Sequence, residues 1–234
     1  MKLKETMLNT QPNKIDLSED LSDEIGDSHA MTNASTPLRD DAFAMDDETK
    51  MELIAKHFKD IMHVLGLDLT DDSLNGTPKR VAKMYVTELF SGLNPDNMPA
   101  LTLFKNEYKY GEMLVERNIK FYSNCEHHFV PIVGFAHIAY ISSGKVIGLS
   151  KLHRIVNYYG RRPQVQERMT MQIGNALKEA LETEDIAIVM DADHMCVSSR
   201  GVNDQHSSTV TSFYSGVFKE DKKKEEFLKL ISIR

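Results

Sequence analysis

The densest chemistry in the chain is the run Cys125-Glu126-His127-His128. Cys125 and His128 are spaced C-x-x-H, which lets two borderline ligands reach one metal from a turn. The only other cysteine, Cys196, stands in His194-Met195-Cys196. If the two stretches meet in space, Cys125, His128 and Cys196 form a three-ligand site. A fourth tetrahedral position is then left for water, the layout of catalytic rather than structural zinc. The alternative is two small buried thiols, since free cysteines often serve as hydrophobes. His127 and His194 are left over, each within two residues of an expected ligand. Either can move a proton at a metal-bound water or simply orient a ligand by hydrogen bonding, and spacing does not separate these roles. His29, His57, His63 and His206 have no such company, and His137 and His153 read as structural.

A second group is Ser150-Lys151-Leu152-His153-Arg154, with Arg161-Arg162 beyond it. Lys151 and Arg154 lie three apart on one side of a helix start, where backbone N–H groups also favour an anion. Arg200, four residues after Cys196, adds a positive group near the expected metal. This clustering suits a phosphate-bearing ligand; a solvated basic face is the alternative. A third group is Gln166-Glu167 near the start of another helix. Glu167 there is either a surface residue favoured by the helix dipole or, in a pocket, a pair of acceptors for the neighbouring N–H donors of a guanine edge.

These residues must be held by elements that the hydrophobic pattern outlines. Met51, Ile54, Phe58, Ile61 and Leu65 mark one face of a helix, with Asp46 or Asp47 to cap it and Gly66 to end it. A second helix opens at Thr77-Pro78 and stops at Gly92. Residues 93–110 read as a connection. Strands are expected at 119–122, just before the Cys125 cluster, and at 134–141, 186–190 and 208–214. A short helix follows Ser150, a longer one spans 164–181, and residues 219–234 form a charged helix or tail. The order favours an α+β fold over regular βαβ alternation. Three regions follow: an acidic, disordered tail over 1–44, a helical region over 45–110, and a catalytic domain over 111–234.

Composition limits the partners. The chain has 234 residues, 41% hydrophobic and 27% charged, enough for a sizeable core. Residues 1–48 hold twelve acidic and four basic side chains, net −8, while the rest, with 24 basic and 23 acidic, carries +1. The acidity therefore belongs to the tail, and the body has no basic field for nucleic acid. No apolar run is long enough to span a membrane, and residues 1–30 lack a signal-peptide core. Two cysteines exclude a disulfide scaffold. The expected protein is soluble and cytoplasmic, with no nucleic-acid or membrane partner.

Taken together, the motifs resemble the type I GTP cyclohydrolase family. The matching segments are residues 77–84 (Thr-Pro-Lys-Arg-Val-Ala-Lys-Met), 125–129 (Cys-Glu-His-His-Phe), 148–151 (Gly-Leu-Ser-Lys), 162–168 (Arg-Pro-Gln-Val-Gln-Glu-Arg), 194–196 (His-Met-Cys) and 200–202 (Arg-Gly-Val). The resemblance runs from about residue 48 to 218, and the tail has no counterpart in it. It implies the tunnelling fold, an antiparallel sheet with helices packed on one face, assembled into a homodecamer with active sites between subunits. It also implies hydrolysis of GTP to 7,8-dihydroneopterin triphosphate and formate, the first step toward tetrahydrofolate or related pterins. By that resemblance Cys125, His128 and Cys196 bind Zn2+, whose water attacks C8 of guanine, and His127 and His194 move protons. Glu167, with Gln166, recognises guanine. Lys151, Arg154, Arg200 and a neighbouring subunit's Arg80 hold the triphosphate, and Ser150 lies near the ribose. Two rivals remain at this point: another tunnelling-fold purine or pterin enzyme, and a non-catalytic zinc-stabilised module that binds GTP or a partner.

Overall fold

The computed structural model describes residues 33–232, so most of the expected acidic tail, residues 1–32, lies outside the described residues. The first helix, α1 (Asp47–Val64), starts as its sequence dictates. The Asp46 carboxylate accepts from the Thr49 N–H at 2.8 Å, and Gly66 leaves the helix with φ at +80°. Its expected inner stripe is only partly covered within this chain. Met51, Ile54 and Phe58 are half-buried and Ile61 and Leu65 are 52% and 70% exposed, while the buried residue of the helix is Met62, one position off the expected stripe. The physical reason is that α1 packs on α2 (Thr77–Lys83) and the turn after it, a contact too narrow to cover a full apolar stripe. Gly76, not Thr77, takes the capping position of α2. Thr77 is its first helical residue, followed by Pro78, and its hydroxyl accepts from Arg80 Nη2 at 2.9 Å.

The helix widens to a π-turn at Met84–Leu89 and closes at Gly92. A side chain at Gly92 would sit 2.0 Å from the Tyr158 carbonyl oxygen, and its N–H donates to Arg161 O at 2.9 Å. Only glycine lets the helical region approach the end of α3 (Leu149–Gly160) this closely.

The body is built on five strands in the order β5-β2-β3-β6-β7, comprising β2 (Leu114–Cys125), β3 (Pro131–Tyr140), β5 (Pro163–Gln164), β6 (Ile186–His194) and β7 (Thr209–Tyr214). β2, β3, β6 and β7 pair antiparallel, and the two-residue β5 joins β2 in parallel. A small separate ribbon pairs β1 (Leu103–Lys105) with β4 (Lys145–Ile147). Alternation along the strands sends Ile119, Phe121, Ile132, Ala136, Ile138, Ile188 and Met190 to one face, under α3 and α4 (Gln166–Leu181). Each fully buried Ile, Phe or Met side chain among them contributes about 1.5–3 kcal/mol, so this layer dominates the stability of the site's scaffold. Ala139, Ala187 and Val189 point the other way, where Phe227 of α6 (Asp221–Ser232) and Phe218 cover them. The expected α+β class and one-face helix layer are thus present, with α6 an addition on the second face.

Residues 33–36 lie along α4. Asn33 O accepts from Arg168 Nε at 2.7 Å, Ala34 O from Gln172 Nε2 at 3.2 Å, and Thr36 Oγ1 from Arg162 Nη1 at 3.3 Å. Among the described residues, no helix is long and apolar enough to cross a membrane.

Candidate functional site

Sheet register alone brings the two cysteine motifs together. Asn124 stands opposite Pro131, and Ile132 opposite His194, so β2 and β6 both end beside the start of β3. Cys125 is the last residue of β2. Its N–H donates to Val130 O at 2.9 Å, and Phe129 N–H returns to Cys125 O at 2.8 Å. Closing this turn puts Phe129 at φ +56°, a left-handed conformation that costs a bulky residue about 1–3 kcal/mol. The Phe129 ring is braced edge-on by Phe90, 5.3 Å away between centroids. The tight turn folds His128 back until its Nδ1 is 3.9 Å from Cys125 Sγ. From the other side, β6 runs directly into the one-turn helix α5 (Met195–Ser198), which delivers Cys196.

One ligand atom from each of Cys125, His128 and Cys196 falls within 4.8 Å of the others, so the group could hold a metal ion. Bond lengths of about 2.3 Å to sulfur and 2.0–2.1 Å to nitrogen imply ligand–ligand edges of roughly 3.6–3.8 Å in a tetrahedral zinc site. The observed spacing needs only a small contraction to reach that. Burial, and then the adjacent Cys125, push the Cys196 thiol up. Two thiols this close resist ionising together unless a cation joins them, and a two-sulfur, one-nitrogen donor set is suited to take one.

The remaining groups at this end separate into a buried and an exposed set. His127 is exposed, with Nδ1 3.7 Å from Cys125 Sγ. His194 is half-buried, and its Nε2 lies 2.8 Å from Gln166 Oε1. Burial pushes the His194 imidazole below its ordinary value, against the opposing pull of Glu167 and Asp193. Glu167 is exposed in the first turn of α4, and its neighbour Gln166 is turned inward and 1% exposed. Arg168, with its side chain 3% exposed, forms a two-pronged ion pair with Glu126. That pair fastens the turn between Cys125 and His128 to the same helical turn that carries Glu167. Sequence reasoning gave neither partner a role. The available signal was a charged residue, Arg168, next to the core position Met169, and only the fold reveals its partner 42 residues away.

The basic residues are not gathered in one place. Arg200 joins the cluster, with Nη1 2.9 Å from His128 Nε2. Ser150, Lys151 and Arg154 do not. They occupy the first turns of α3, beside His153, whose Nε2 is 2.9 Å from Glu116 Oε1. Glu116 and Cys125 are nine residues apart on β2, or roughly 25–30 Å of strand. Within one chain, these residues therefore stand at the opposite end of the sheet from the thiols. Arg80 bonds the start of its own helix through Thr77 Oγ1 and Ser73 O, 3.1 Å away. Arg162 lies over the rings of Tyr158 and Tyr159.

A family model described as GTP cyclohydrolase I matches residues 54–232, more than half of the chain. A protein named GTP cyclohydrolase 1 from Flavobacterium johnsoniae is 61% identical over 216 residues, covering 92% of this chain and 97% of its own. Proteins of the same name from Escherichia coli and Citrobacter koseri are 50% and 49% identical over 197 residues, 84% of this chain and 89% of theirs. The first match leaves only 18 of 234 residues unspanned, so it extends into the segment before residue 45, further than the motifs themselves reach.

Proposed function

The chain belongs to the GTP cyclohydrolase I family, and from that membership we propose how its own residues divide the work of hydrolysing GTP to 7,8-dihydroneopterin triphosphate and formate. The observation that carries the reading is the convergence of Cys125, His128 and Cys196 beside His127, His194 and Glu167. Zn2+ is the metal that this donor set suits, and when bound it supplies a Lewis acid with an open position for water. Glu167 accepts from N1–H and the 2-amino group of guanine, two neighbouring donors that a carboxylate meets in one plane. His127 and His194 move protons as the imidazole ring of the base opens and C8 leaves as formate.

The geometry supports the phosphate-binding role of Arg200. Its Nη1 can donate to His128 Nε2 only while that nitrogen carries a lone pair. If His128 binds a metal through Nε2 the lone pair is used, and if through Nδ1, Nε2 carries the proton. Either way Arg200 is released, free to pair with a phosphate.

Ser150, Lys151 and Arg154 belong to the same chemistry in this reading, although roughly 25–30 Å of strand separates them from the thiols. A homodecamer with sites at its subunit interfaces reconciles the two facts. Each site takes its metal ligands from one subunit and its ribose and triphosphate contacts from others, Arg80 among them. The incompletely covered face of α1 suits such an assembly. Thiols kept free as metal ligands suit a reducing compartment, and we place the protein in the cytoplasm. The test is to incubate the purified protein with GTP and measure formate together with the reduced pterin product. Equimolar release of both is expected; GTP bound without formate would leave a binding module instead.

A further inference from the structure

Gln166 sits where a substrate contact is expected, yet its side chain is 1% exposed and its amide is fully engaged inside the protein. Nε2 lies 2.9 Å from Thr209 O, 3.2 Å from Met190 O and 3.1 Å from Thr211 Oγ1. Two of these partners are backbone carbonyls, which only accept. The amide therefore cannot be reversed, because Oε1 would then face two carbonyl oxygens. Thr211 is itself fixed, with its hydroxyl 2.7 Å from that of Thr170, and Thr170 Oγ1 donates to Gln166 O at 2.8 Å.

With Nε2 committed in this way, Gln166 Oε1 is left as an acceptor, and the group that meets it is His194 Nε2 at 2.8 Å. Both ring nitrogens of a neutral imidazole cannot carry hydrogen, so the nitrogen facing a fixed acceptor must be the protonated one. We infer that Gln166 is a positioning residue that locks His194 in the Nε2–H tautomer and fixes its ring orientation, so that Nδ1 is the ring nitrogen that keeps its lone pair. The lock is set by the scaffold: Met190 on β6 and Thr209 and Thr211 on β7 orient the amide, and the amide orients the ring. β7 is an outer strand of the sheet and contributes none of the proposed ligands or substrate contacts, so this gives it a function in the reaction. It also assigns Gln166 to the histidine rather than to guanine.

The inference rests on the proton-transfer role given to His194, but its first test does not. Neutron diffraction from deuterium-exchanged, metal-loaded protein should show deuterium on His194 Nε2, directed at Gln166 Oε1, with both amide deuterons of Gln166 turned to the strand carbonyls and Thr211. A bare Nε2 facing an amide deuteron would overturn the assignment. The second test is steady-state kinetics of Gln166→Met, similar in length but unable to accept strongly. Partners that orient metal-ligating histidines are worth about 10–100-fold, and a loss of that order is expected here on kcat, with KM for GTP nearly unchanged. A loss carried by KM, or no loss, would mean that Gln166 touches the base or does nothing for His194. Failure of the proposed activity itself would look different, as absence of formate from the unmodified protein.

Discussion

Two inactive variants should restore each other's activity when they share an oligomer. Cys125→Ala removes a proposed metal ligand at the end of β2, and Arg154→Ala a proposed phosphate contact in the first turns of α3. The two positions sit at opposite ends of the sheet, since His153 meets Glu116 while Cys125 lies nine strand residues further on. No phosphate tail on a bound guanine nucleotide bridges roughly 25–30 Å, so one chain cannot supply both groups to one substrate. In the proposed assembly, each site combines the thiols of one subunit with the α3 residues of another. In a randomly mixed oligomer of equal amounts, half the subunits keep Cys125 and the other half keep Arg154. About one quarter of the sites then carry both intact halves. Co-expressed and co-purified variants should thus regain about 25% of wild-type formate release, while separately assembled variants mixed after purification stay inactive. Hybrid oligomers of the correct composition with no activity would show that the site is built within one chain, and the distance argument would fail.

Other expectations are more local. His194→Ala should keep its metal and turn over about 10²–10⁴-fold more slowly, the usual contribution of a proton-transfer residue; metal analysis checks this, and loss of the metal would make His194 a ligand. Glu167→Gln should keep metal and assembly but lose up to about 10⁴-fold in GTP turnover, because the new N–H₂ opposes a guanine donor; wild-type kinetics would return Glu167 to the solvated surface. Removing residues 1–44 rather than 1–32 should lower stability by about 1–3 kcal/mol, since Arg168 loses the Asn33 carbonyl and a hydrogen bond to a charged group is worth about that much. Equal urea midpoints for the two truncations would show that residues 33–44 are only a solvated extension.

What could be read from the sequence was whatever is local in the chain. C-x-x-H reports a turn, and Cys125 and His128 do face each other across one. Capping chemistry at Asp46 and the positive φ at Gly66 are likewise decided within a few residues. Joining Cys196 to them needed strand order, which the pattern of apolar runs did not contain; the resemblance carried that step, and the β2-β3-β6 register explains it. The Glu126–Arg168 pair was beyond reach because its partners are 42 residues apart and neither is unusual alone. The stripe on α1 was legible as periodicity, but periodicity does not say what covers it, and Ile61 and Leu65 remain exposed in the chain. Ser150, Lys151 and Arg154 were recognisable as a group, while their distance from the thiols belongs to the direction of α3 along the sheet.

The central claim is that Cys125, His128 and Cys196 hold the metal on which GTP hydrolysis depends. The most direct measurement is formate release from GTP as zinc is withdrawn by a chelator and then returned, with bound zinc counted at every step. Activity should fall and recover in proportion to zinc, reaching its full value near one ion per chain, and Cys196→Ala should neither bind the ion nor respond to it. Full turnover from metal-free protein would contradict the account.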